Sequence, residues 1–199
     1  MEAGAQRSSN EFDLSVPLRS FLTTAWKVMT KPNAFFRGVG RDSDIRAPFT
    51  FGLACVLVYF LLSAATGVPV LDGAVTQAIG FGDLPTIAAV LFFAVILAPL
   101  FVAVLLCIAA GFYHILVAIV LRSRNVGFEV TFRIYAYSTA VLLLSWIPVV
   151  GYLAYAYGYY LIFAGVRRLH SASRTQAAIV ALLPAAAWLL ILFLAGSFR

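Results

Sequence analysis

Apolar residues in this chain run in long blocks separated by short polar connections, and they do not alternate. "APFTFGLACVLVYFLLSAATG" from Ala47 and "TQAAIVALLPAAAWLLILFLAG" ending at Gly196 are each about the length of one membrane-crossing helix. Two further blocks, Thr86–Leu121 and Thr131–Val166, are too long for one crossing. At 1.5 Å per residue either would make a helix of about 54 Å, against a hydrocarbon core of roughly 30 Å.

The second long block divides at "IPVVG". Pro148 removes a backbone donor and Gly151 permits a tight turn. Arg133 stands at one end and Arg167 with Arg168 at the other, so a hairpin of two spans, 131–147 and 150–167, returns both basic ends to one side. The first long block is interrupted only by Pro99, and its flanks differ, with Asp83 before it and Arg122 and Arg124 after it. It makes one net crossing, either as a long kinked helix or as a short segment at 86–98 followed by a span at 99–121. Five crossings follow. They put thirteen of the 14 Lys and Arg on one side and leave only Arg199 on the other. The positive-inside rule then makes the N-terminus cytoplasmic and the C-terminus external. A sixth crossing would expel Arg122 and Arg124. The expected fold is all-α: a cytoplasmic segment at 1–46 followed by a five-span membrane domain at 47–199.

Before the first span, Leu18, Phe21, Leu22, Ala25, Trp26 and Met29 recur at helical spacing, with Arg19 and Lys27 off that face. The pattern predicts an amphipathic helix at 18–29 lying on the inner leaflet. Residues 1–16 show no apolar period and are expected to be disordered.

Composition agrees with this picture. The 199 residues are 63% hydrophobic and 11% charged, with mean hydropathy +0.98, where a soluble domain is about one quarter charged. The net charge of +6 reflects topology rather than nucleic-acid binding, because the basic residues flank the spans. Residues 1–46 hold no signal-peptide core. Cys55 and Cys107 lie in apolar runs without Cys-x-x-Cys spacing and read as small core residues.

No catalytic signature is visible, no metal or cofactor set is apparent, and the spans contain no carboxylate of the kind a proton pathway uses. The most informative intramembrane polar residue is His114, about 12 Å from the Arg122 end of its span. Counting inward from Arg133 and Arg167 places Tyr137, Ser138, Tyr159 and Tyr160 at a similar depth. These five residues form a candidate polar layer, either an interhelical fastening or a ligand site. Tyr152, Tyr155 and Tyr159 share a helix face, as belt aromatics or the wall of a lipid groove. Ala136/Ala140 and Ala154/Gly158 form small-xxx-small steps that let the hairpin pack closely on itself. Arg122, Arg124, Arg133, Arg167, Arg168 and Arg174 are candidate contacts to anionic lipid headgroups. His170 reads as a surface residue of the second basic loop.

Residues 127–178 carry "TFRIYAYSTA", "IPVVGYL", "GYYLIFAGVRRLH" and "SASRTQAA". Together these resemble the bacterial branch of the Yip domain family, the Ypt/Rab-interacting membrane proteins. "KPNAFFRGV" is similar to the Pro-and-Phe element that precedes the first span in that family. The acidic Leu-Tyr-Gly-Pro element of eukaryotic members is absent, and "YAYS" at 135–138 is an inexact counterpart of their Tyr-Gly-Tyr. The resemblance implies five spans, a cytoplasmic N-terminus and residence in the bacterial inner (plasma) membrane, with no reaction attached. Two functions stay open. One is a non-enzymatic scaffold or adaptor for membrane partners, including a second copy of the chain. The other is a carrier or transporter subunit that handles lipids or small molecules. Membrane lipids are expected partners in both, and nucleic acid in neither.

Overall fold

The computed structural model describes residues 11–40, 44–66 and 96–197, which are helical and contain no strand. The elements are α1 (Pro17–Thr30), α2 (Pro32–Arg37), α3 (Arg46–Ala65), α4 (Ala98–Leu121), α5 (Phe128–Ser138), α6 (Leu142–Ser145), α7 (Val150–Leu169) and α8 (Arg174–Ser197). Three helices among the described residues are long and apolar enough to cross a membrane: Arg46–Ser63, Ala98–Arg124 and Arg174–Gly196. A count of five crossings goes beyond this. The 86–98 alternative lies mostly outside the described residues; the α-helical part of α4 begins at Ala98, with Pro99 in its first turn, directly after a π-helical stretch at 96–97.

The expected hairpin is present, but its first arm is not one regular helix. After α5 the backbone tightens into a 3₁₀ turn at Thr139–Val141 before α6. The side chains supply the cause. Ser138 Oγ donates to the Ile134 carbonyl at 2.7 Å and Thr139 Oγ1 to the Ala136 carbonyl at 2.6 Å. Such back-bonding competes with the helical ladder and bends it. At the turn, the Val150 N–H donates to the Pro148 carbonyl at 2.8 Å. That bond holds Val149 at φ 67°, ψ −52°, a γ-turn geometry strained for a β-branched residue.

Small residues set the helix spacings. A Cβ on Gly165 of α7 would stand 2.5 Å from Ile134 Cγ2 of α5. One on Gly52 of α3 would stand 3.2 Å from the Ala136 Cβ. Ala136 therefore serves the contact with α3, while Gly158 meets Val141 across the hairpin. Cys55 is buried as expected, whereas Cys107 lies on the exposed face of α4.

The N-terminal segment packs into the same core as the spans. Phe12, Phe35 and Phe36 are buried there with Phe51 and Tyr137, and Phe35 meets Tyr137 edge-on with centroids 4.9 Å apart. Disorder over 1–16 is thus wrong for residues 11–16. Phe12 is buried, Ser20 Oγ accepts from the Asp13 N–H at 2.6 Å, and the Asp13 carboxylate caps the Ser15 N–H. Residues 1–10 lie outside the described residues.

Helix α1 forms where its period places it, but its apolar face divides. Ala25 and Val28 are buried on the bundle with Phe21 and Met29 beside them. Leu18, Leu22 and Trp26 point away, with 84%, 68% and 67% of their surface exposed.

Candidate functional site

The five residues of the candidate layer do not assemble. His114 lies between helices, but its partner is Thr131: Nδ1 and Oγ1 are 3.1 Å apart, with the ring edge-on to Phe128. Tyr137 is buried against Phe35 and Phe51. Ser138 is committed to its own helix. Tyr159 is half-buried. The Tyr160 hydroxyl accepts from Asn33 Nδ2 of α2 at 3.1 Å. The count took Arg133 as the end of a span, whereas α5 begins at Phe128 and Arg133 sits inside it, so the counted positions do not become contacts.

What forms instead is a polar chain centred on Thr131. Its hydroxyl meets His114 Nδ1 of α4 and, also at 3.1 Å, His170 Nε2 from the α7–α8 connection. His170 is not a surface residue; it is 1% exposed. Its Nδ1 accepts the Val126 N–H at 3.1 Å, so the neutral ring carries its hydrogen on Nε2 and donates to Thr131. The Thr131 hydrogen then goes to His114, or His114 donates and Thr131 turns to the Gly127 carbonyl at 3.4 Å. Both arrangements satisfy the Thr131 hydroxyl, both His170 nitrogens and His114 Nδ1. The chain fastens α4, α5 and the two basic connections to one another, and it places Arg122–Arg124 and the start of α8 at the same end of the bundle.

A capping box begins α8. Ser173 Oγ accepts the Gln176 N–H, and Gln176 Oε1 accepts the Ser173 N–H, both at 3.2 Å. Gln176 Nε2 also donates to the Val120 carbonyl at the end of α4. Ser-x-x-Gln was the available sequence signal for this.

Arg133 is the largest departure from its expected place. It is fully buried, so it cannot contact headgroups from a loop, and Nη1 donates to the Gly40 carbonyl at 2.7 Å. The Gly40 N–H in turn donates to Glu11 Oε1 at 3.0 Å. Burying a guanidinium is costly, and the bond to the Gly40 carbonyl offsets part of that cost. Here it draws the chain before α1 and the chain after α2 onto α5. No local pattern announced this, because its partners lie about a hundred residues away. Of the other arginines, Arg122, Arg124 and Arg174 are exposed; Arg167 and Arg168 are half-buried, and the Arg167 guanidinium lies 5.7 Å from the Phe163 ring centroid.

Among the described residues the centre of the bundle is filled. Where α4, α5, α7 and α8 meet, the void between Tyr113, Thr131, Ile134, Tyr135, Ile162 and Val180 measures about 10 Å³, room for one water at most. The described residues contain no cluster of three or more His, Cys, Asp or Glu able to hold a metal ion.

A family model described as the Yip1 domain matches residues 26–196, from α1 to the end of α8. No curated protein matches the chain, and no solved structure matches it.

Proposed function

Because the chain belongs to the Yip1 domain family and is an integral membrane protein, we propose that it is a non-enzymatic scaffold or adaptor that organises membrane partners. One observation carries this reading: the polar centres at Arg133 and Thr131 join one element to another. Arg133 holds the N-terminal segment, Thr131 links two histidines and two connections, and Ser138 and Thr139 shape the hairpin. In a carrier, such groups would be expected to face a passage for cargo. Here the junction between helices is packed, and the broad apolar faces of α4 and α8 point outward. In this reading residues 47–199 make five crossings in a bacterial inner membrane. Residues 1–46 form a cytoplasmic platform, and α1 rests in the inner interface with Leu18, Leu22 and Trp26 toward lipid.

The test is cross-linking of a tagged chain in its native membrane, followed by capture. The scaffold reading expects reproducible membrane-protein partners or a second copy of the chain. Recovery of the chain as a monomer with no cross-linked protein would contradict it.

A further inference from the structure

The corner between α1 and α2 faces the middle of α7 across an open groove of about 360 Å³, whose polar lining comes from Thr30, Lys31, Asn33, Arg37, Tyr157 and Tyr160. The corner is fixed by its own backbone. Lys31 leaves the helical region at φ −134°, ψ 53°, Pro32 restarts the helix, and the Ala34 and Phe35 N–H groups donate to the Lys31 carbonyl at 3.0 and 2.9 Å. With Pro32, Phe35 and Phe36 buried, Asn33 and Arg37, four residues apart, share the remaining face of α2.

Across the groove, the Tyr157 hydroxyl donates to the Met29 carbonyl at 2.6 Å, which pins α1 to α7. Tyr160 accepts from Asn33, so its own hydroxyl hydrogen is available. Arg37 Nε donates to the Asn33 carbonyl at 3.1 Å, which steadies the guanidinium, and its two terminal nitrogens have no acceptor among the described residues. The groove therefore offers two cations and a phenolic donor, and its lining includes no carboxylate.

We propose that this groove binds the phosphate of an anionic phospholipid. Arg37 presents a planar fork suited to two phosphate oxygens, Lys31 adds a mobile point charge, and Tyr160 donates to a third oxygen. Two observations favour a lipid over a free phosphate. The exposed Leu18, Leu22 and Trp26 lie on the helix that leads directly into the groove. Along α7, Tyr157, Tyr160 and Phe163 continue as an aromatic row, with centroids 5.5 and 6.2 Å apart, that ends at Arg167. The row leads from the groove to Arg167, the end of α7 that the five-crossing reading places at the cytoplasmic headgroups, where aromatic side chains gather. The groove is distinct from the basic connections at Arg122–Arg124 and Arg174, and the proposal holds whether the protein is a scaffold or a carrier.

Native mass spectrometry of the full-length protein tests it, with phosphatidylglycerol and phosphatidylcholine added in competition. The wild type should retain phosphatidylglycerol preferentially. Lys31→Gln with Arg37→Gln should weaken that retention roughly tenfold or more. Tyr160→Phe should weaken it less, and Arg174→Gln, which removes one charge from an exposed connection, should leave it unchanged. All four positions are at the surface, and an unchanged thermal unfolding curve without added lipid verifies the fold. Equal retention by the double variant, or an equal loss with Arg174→Gln, would overturn the site. Displacement of the lipid by millimolar inorganic phosphate or glycerol phosphate, with the same dependence on Lys31 and Arg37, would overturn the lipid assignment in favour of a soluble phosphate.

Discussion

His114 and His170 touch the same hydroxyl, yet their environments make them unequal. His114 contributes one interhelical bond from a half-buried position, so His114→Leu should lower stability by about 1 kcal/mol or less and leave partner capture intact. His170 is buried and accepts a backbone N–H; His170→Ala strands the Val126 N–H and removes a partner of Thr131, at a cost of about 1–3 kcal/mol. Thermal unfolding in one detergent should rank the two variants in that order. Arg133 acts at longer range. Arg133→Met takes the donor from Gly40, so residues 11–40 should become sensitive to limited proteolysis before the rest of the chain. Arg133→Lys, with one charged donor in place of a fork, should protect them only in part. The sequence revealed that these polar residues lie within apolar stretches, but not what they touch. A lone arginine in an apolar run reads as the end of a span, and nothing within the run shows that Gly40 approaches it from elsewhere in the chain.

Elements were legible where one physical quantity determined them. Length and hydropathy placed α3 and α8 to within a few residues and the C-terminal end of α4 at Leu121, and Pro148 with Gly151 placed the hairpin turn. The 3₁₀ turn was not legible, since it depends on which way two short hydroxyl side chains turn. The outward stripe of α1 was half legible: its period showed an apolar face, while the division between bundle and exterior depends on where α2 lands. Helix spacing supplies a paired test. Gly165→Ala pushes a methyl group into Ile134 at the α5–α7 crossing and should destabilise the hairpin by about 1–3 kcal/mol. Gly111→Ala on α4 meets nothing within 4 Å and should be neutral or stabilising by up to about 1 kcal/mol. Chemical unfolding of the two variants checks both signs at once.

For the whole molecule, the hydrogen bond between Val126 and His170 puts two basic connections at one end of the bundle, the arrangement that a cytoplasmic face carrying most of the positive charge requires. A periplasmic reporter fused after Arg199 should therefore be active, and a cytoplasmic reporter at the same place silent; the opposite pattern would remove one crossing from the proposed five. The scaffold reading rests on a packed centre whose polar groups fasten helices. Its most direct test is lipid translocation by the purified full-length protein in vesicles that contain phosphatidylglycerol. Fluorescent lipid should cross no faster than in protein-free vesicles, even though the protein binds phosphatidylglycerol at its surface. Translocation that rises with protein density and falls with His114→Leu would contradict the account and make the polar chain part of a transport path.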